Sequence, residues 1–157
     1  MADIKDPENT LILETSKGAV TIAMRPDLAP AHVERIKALA REGFYDGLKF
    51  HRVIDGFMAQ TGCPQGTGTG GSGKKLKAEF SPEKHVRGTV SMARANDPNS
   101  GDSQFFICFD EAPWLNRQYA AWGQVISGME NIDAINKGEP PRSPDTIVSM
   151  KVAADVG

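Results

Sequence analysis

The sequence predicts a mainly β protein, a closed antiparallel barrel with helices capping its openings. Three observations lead there. β-rich runs of six to eight residues recur from residue 10 to residue 153. Only two stretches, after Pro30 and after Gly128, space their apolar residues as a helix does. No repeat and no shift in composition marks a linker, so the 157 residues read as one domain with a real core. That domain is expected over 10–157, with residues 1–9 as a mobile tail.

The elements follow in order. Runs 10–15 and 19–24 are β-rich and are joined by Ser16-Lys17-Gly18, which predicts a hairpin. Pro30 opens a helix in which Val33, Ile36, Leu39 and Ala40 share a face, and Gly43 supplies its stop. Strands are expected at 48–54, 57–62, 88–94, 103–109 and 119–126. Between them lie a Gly-rich stretch (66–73), a polar loop (96–102) and a Pro-Trp-Leu-Asn turn (113–116). Met129, Ile132 and Ile135 stand three apart and predict a second short helix within 128–138. A Pro-rich segment (139–144) leads to a last strand at 146–153.

Bulk properties exclude several classes. A net charge of −2 argues against a nucleic-acid partner and against a polybasic membrane anchor. No apolar run approaches the roughly 20 residues needed to span a bilayer. The first eight residues are charged and carry no signal-like apolar segment, so the expected compartment is the cytoplasm. The two cysteines, Cys63 and Cys108, lack Cys-x-x-Cys spacing and read as reduced thiols, one of them buried in a strand.

The densest chemistry lies in Phe50-His51-Arg52-Val53-Ile54-Asp55-Gly56-Phe57-Met58-Ala59-Gln60, read together with Ser103-Gln104-Phe105-Phe106-Ile107. Side-chain period two puts Phe50, Arg52 and Ile54 on one strand face. After the Asp55-Gly56 turn, Met58 and Gln60 share a face, with Phe57 on the other side of the bend. Gln104 is grouped with Phe106 in the same way. Arg52 is either exposed or lines a polar pocket; the amides of Gln60 and Gln104, which could hold a guanidinium, favour the pocket. Phe57, Met58 and Phe106 also suit an ordinary core. Trp114, in a polar turn, suits a pocket rim or an interface. One cation, two amides and several apolar groups include no nucleophile–base pair and no metal cluster, so hydrolysis is a poor fit. Gripping an apolar segment and touching one amide with a guanidinium is a better one.

Other motifs carry less. Gly68-Thr69-Gly70-Gly71-Ser72-Gly73-Lys74-Lys75 approaches a phosphate-binding loop but ends in Lys75 where a magnesium-binding hydroxyl belongs. Pro82 follows too soon for the required helix, so no nucleotide cofactor is expected. The three histidines stand at no ligand spacing. His51, adjacent to Arg52, is expected on the opposite strand face as a structural residue. His32 and His85 are expected at the surface.

Together these runs, the second extended to Cys108, with Gly-Thr-Gly at 66–68 and again at 68–70, Ser91-Met92-Ala93-Arg94-Ala95, Trp114-Leu115-Asn116 and Gly-Gln-Val-Ile-x-Gly-Met-Glu over 123–130, resemble the cyclophilin family of peptidyl-prolyl cis-trans isomerases, in its bacterial branch. The similarity spans roughly 10–153. It implies an eight-stranded antiparallel barrel with a helix over each end and a groove on its outer surface. It implies Arg52 as the catalytic arginine, with Gln60 orienting it and touching the substrate backbone. Phe57, Met58, Phe106 and Leu115 would wall the proline pocket. Gln104 and the backbone at Arg94 and Ala95 would hold the residue before proline, Gly68 and Ala93 would flank the next subsite, and Trp114 would form a rim that also contacts cyclosporin. Tyr119 and Arg94 depart from the histidine and asparagine of well-known eukaryotic members, which bears on cyclosporin affinity and peptide preference. The implied partners are proline-containing segments of client proteins, with no cofactor or metal and a monomeric protein. The competing reading is a proline-peptide binding module whose turnover is incidental.

Overall fold

A computed structural model describes residues 6–64, 66, 71–94, 97, 99–138 and 141–156. Eight strands form one antiparallel sheet: β1 (Thr10–Thr15), β2 (Gly18–Met24), β3 (Arg52–Ile54), β4 (Met58–Thr61), β5 (Thr89–Met92), β6 (Phe105–Cys108), β7 (Ala121–Ser127) and β8 (Ile147–Val152). Their spatial order is β3-β4-β6-β5-β7-β2-β1-β8. The helices are α1 (Pro30–Arg41) and α2 (Met129–Asp133). No helix among the described residues is long and apolar enough to cross a membrane.

Alternation explains the main core. Leu11, Leu13, Val20, Ile22, Val53, Ala59, Val90, Met92, Phe105 and Ile107 all face inward with the fully buried Trp122. The apolar face of α1 (Val33, Ile36, Leu39, Ala40) and the α2 residue Ile132 join the same cluster. The β1–β2 hairpin is closed by Thr15, whose Oγ1 donates to the Gly18 carbonyl and accepts from the Lys17 amide. Ala29 precedes α1 and has no side-chain oxygen to cap it. The Glu79 carboxylate takes that place, accepting the Ala31 and His32 amides at 3.2 and 2.9 Å. At the other end Gly43, at φ +73°, supplies the expected stop.

β1 and β2 lie where the sequence predicts them, but from β3 onward the strands are shorter than predicted, and β3 most of all. Residues 47–50 leave the β4 ladder and bond instead to 145–147: Phe50 N to Asp145 O at 2.9 Å, Ile147 N to Leu48 O at 2.8 Å. This detour corrects one expectation. Phe50 does not share a face with Arg52 but is fully buried in the main core. The sheet is therefore a curled eight-stranded antiparallel sheet, and its edge strands β3 and β8 share no ladder of their own. The second helix covers only five residues. Within the expected tail, Pro7–Asn9 form a 3₁₀ turn, and Glu8 pairs with Arg41 on α1 at 2.9 Å.

His32 and His85, expected at the surface, are 2% and 1% exposed. Each is buried because a distant residue satisfies its ring. His32 Nδ1 lies 2.5 Å from Glu79, and His85 bonds to Asn116 and Ser91. Both cysteines are buried, and burial pushes the Cys108 thiol up to about 12.

Candidate functional site

The outward residues of β3, β4 and β6 form a second, smaller apolar cluster. Met58, Phe106, Cys108, Ala112 and Leu115 are buried there, with Ile54, Phe57, Ala93 and Tyr119 packed around them. Register explains the arrangement. Arg52 pairs with Gln60, Gln60 with Phe106, and Phe106 with Ser91, giving one row across four neighbouring strands. Ile54, Met58 and Cys108 form the next row. Apolar side chains on a sheet face turned away from the main core need a cover. The 3₁₀ turn Pro113–Leu115 supplies part of it through Leu115.

The result is a pocket of about 90 Å³ whose lining includes Arg52, Phe57, Met58, Gln60, Phe106 and Leu115. Ala93, Arg94 and Tyr119 complete its wall. Phe57 is thus brought to the same side as Met58, because it lies in the turn before β4 rather than within the strand. Its ring meets Trp114 at 5.6 Å, and Phe106 meets Tyr119 edge-on at 5.7 Å; such pairs contribute about 0.5–1.5 kcal/mol each. Trp114 itself is 63% exposed and stands on the rim.

A polar relay runs along the pocket edge. Arg52 Nη1 donates to Gln60 Oε1 at 3.4 Å, and Gln60 Nε2 donates to Gln104 Oε1 at 3.0 Å. The first bond is long. Gln104 is placed by firmer contacts: its carbonyl accepts the Ala93 amide at 2.9 Å, and the preceding Ser103 bonds to Gly62 and Tyr45. Gly62 is required here, since a β-carbon on it would lie 2.4 Å from the Ser103 carbonyl oxygen. Gly68 and Ala95, both expected at the site, lie outside the described residues, as does the centre of the Gly-rich stretch.

Sequence reasoning missed the layer beneath the pocket. His85 stacks on Phe106 with ring centroids 6.3 Å apart. Its Nδ1 lies 3.2 Å from Asn116 Oδ1 and its Nε2 2.9 Å from Ser91 Oγ. Asn116 Oδ1 also accepts the His85 amide at 2.7 Å. That acceptor assigns the ring proton to Nδ1, so Nε2 accepts from Ser91. Burial holds His85 below the usual imidazole range and therefore neutral. The available signal was alternation: Ser91 between Val90 and Met92 had to face outward, beside Phe106. His51, the expected structural histidine, is buried too, and burial lowers its pKa.

Chemically, the site offers a guanidinium, a chain of amides and a cavity sized for a few carbons. Among the described residues no group of three or more His, Cys, Asp or Glu side chains is placed to hold a metal ion.

Comparisons with known proteins show the family. The family model "Cyclophilin type peptidyl-prolyl cis-trans isomerase/CLD" matches residues 10–152. A probable peptidyl-prolyl cis-trans isomerase of Brucella suis is 51% identical over 98% of this chain and 87% of its own length. A peptidyl-prolyl cis-trans isomerase of Synechococcus elongatus is 44% identical over 92% of this chain and 96% of its own. Among solved structures, a cyclophilin from Hirschia baltica superposes with a TM-score of 0.90 at 34% identity, covering 97% of this chain and 76% of that one. A Cryptosporidium parvum cyclophilin-type isomerase, crystallised in the presence of the dipeptide Ala-Pro, gives a TM-score of 0.85 at 31% identity over 91% of this chain and 98% of that one.

Proposed function

The chain belongs to the cyclophilin-type peptidyl-prolyl cis-trans isomerases, and from that premise we propose that the pocket beside Arg52 is where an X–Pro bond of a protein client is turned. The observation that carries this reading is the relay Arg52–Gln60–Gln104 along the edge of a cavity of about 90 Å³ walled by Phe57, Met58, Phe106 and Leu115. The activity itself, isomerisation of X–Pro bonds, is that of the family.

The chemistry needs no covalent step. Amide resonance sets a rotation barrier of about 18–20 kcal/mol, and X–Pro bonds exchange only over tens to hundreds of seconds. At the twisted state resonance is lost and the prolyl nitrogen becomes pyramidal with a localised lone pair. A guanidinium donor directed at that nitrogen favours the twisted amide over either planar form, which is the condition for catalysis. Arg52 is that donor in this account. Gln60 accepts from it, keeps its plane turned toward the cavity, and meets the substrate backbone.

Met58, Phe106, Leu115 and Phe57 take the proline ring. Burying its three methylenes supplies about 2 kcal/mol of anchoring at roughly 0.8 kcal/mol each. Gln104 and the backbone at Arg94 hold the residue before proline, and Trp114 covers the rim, where cyclosporin would also sit. The Ala-Pro dipeptide used with the Cryptosporidium relative supports a proline-containing ligand for this chain. We also propose that the sheet closes into a barrel through the bridge between Lys49 and Thr146, with the 47–50 and 145–147 backbones as the seam.

Titration with an Ala-Pro-Phe peptide tests the placement by NMR. Shifts are expected at Arg52, Gln60 and Phe106, together with exchange cross-peaks linking the peptide's cis and trans forms. Shifts confined to another face, or no exchange, would overturn it.

A further inference from the structure

The turn that carries Tyr119 is held in an unfavourable backbone conformation. Arg117 has φ +62° and is the one non-glycine with positive φ among the described residues. An L-residue stays there only where its surroundings fix it. The next carbonyl, that of Gln118, accepts two hydrogen bonds from the Arg94 guanidinium, from Nε at 3.0 Å and Nη2 at 2.8 Å. The same guanidinium lies 4.6 Å over the Tyr119 ring and 5.9 Å from the Phe80 ring. Tyr119 in turn meets Phe106 edge-on. Arg94, Tyr119 and Phe106 all line the pocket.

Two independent contacts thus converge from one planar group. One fork grips the strained turn and one face supports the ring that follows it. A lysine ammonium is a point donor and cannot do both. We propose that Arg94 is a positioning residue: its side chain fixes the 117–119 turn, sets Tyr119 as a rigid wall, and so fixes the width of the pocket. This rests on the reading that the pocket takes the substrate proline. A rigid wall selects for ring size, so the five-membered prolyl ring is preferred over the six-membered pipecolyl ring for as long as Arg94 is in place.

The test compares kcat/KM on matched prolyl and pipecolyl tetrapeptides. Arg94→Ala is expected to lower prolyl kcat/KM about tenfold, mostly through KM, as loss of a cation–π contact and two charge-assisted bonds implies. It should also compress the preference for prolyl, and Arg94→Lys should not restore it. In a Tyr119→Leu background, Arg94→Ala should cost less than about twofold, because the two residues act as one unit. If Arg94→Ala folds poorly, the pair is remade with Arg117→Gly, which relieves the positive φ. Additive losses, rescue by lysine or an unchanged ring-size preference would each overturn the proposal. Should the wild type turn over neither peptide, the functional reading fails, and the brace is judged separately by fluorotyrosine NMR. The chain has two tyrosines, and Tyr45 serves as a buried reference. A Tyr119 resonance that sharpens and moves in Arg94→Ala supports the brace; one that stays put refutes it.

Discussion

Replacing Asn116 with alanine should loosen the pocket from below. The Asn116 carbonyl oxygen accepts the His85 amide at 2.7 Å and faces the His85 Nδ1 at 3.2 Å. His85 is almost fully buried, so neither donor regains full hydration when the acceptor is lost. Each neutral bond contributes about 1 kcal/mol, and the destabilisation should be about 2 kcal/mol. With a urea dependence of roughly 1–3 kcal/mol per molar, the unfolding midpoint should fall by about 1 M. Function should suffer too, because His85 supports Phe106 by stacking and Asn116 directly follows the wall residue Leu115. The expected signature is a KM for an X–Pro peptide raised several-fold with a smaller change in kcat. Asn116→Asp keeps an acceptor and should retain most of the stability. A midpoint for Asn116→Ala within about 0.2 M of wild type would refute the reasoning, and so would equal losses in both variants.

Other outcomes follow from the same structure. Gly62→Ala forces a β-carbon against the Ser103 carbonyl at φ +95° and should cost at least about 2 kcal/mol by thermal or urea unfolding. His51 and His85 are held below their ordinary value of 6.5 mainly by burial, so below that pH the unfolded chain binds protons that the folded one does not. Stability is therefore fully present above about pH 6.5 and declines as the pH falls, which urea midpoints across pH 7.5 to about 5 will show. Asn116→Asp should raise the His85 pKa toward its unfolded value and so shrink that decline, since the unchanged unfolded pKa still sets where it begins. With its pKa near 12, Cys108 should resist a thiol reagent at about pH 8 in the native protein and react on unfolding.

How much was legible in the sequence depended on the range of the interactions. The row Arg52, Gln60, Phe106 could be read because period-two alternation places outward residues once the strands are paired. The hairpin and α1 could be read because Gly18, Pro30 and Gly43 act on their own backbones. Phe50 was misplaced because the chain leaves its ladder to bond with 145–147, a partner almost a hundred residues away. His32 and His85 were misplaced for the same kind of reason. A lone histidine looks like a surface residue until Glu79 and Asn116, 47 and 31 positions away, are brought to it. The reach of the Arg94 side chain to Gln118 and Tyr119 was likewise invisible, since it depends on two loops meeting in space.

The central claim is that Arg52 lowers the rotation barrier while the apolar pocket only holds the proline. The most direct measurement is the proline-limited cis-to-trans rate of a short X-Pro-Phe peptide with the wild type and with Arg52→Ala, alongside the affinity of each for the peptide. Removing one preorganised donor should cost about 10²–10³ in kcat, with affinity changed far less. Full turnover by Arg52→Ala would contradict the account, and an equal loss in rate and affinity would reduce Arg52 to a binding residue.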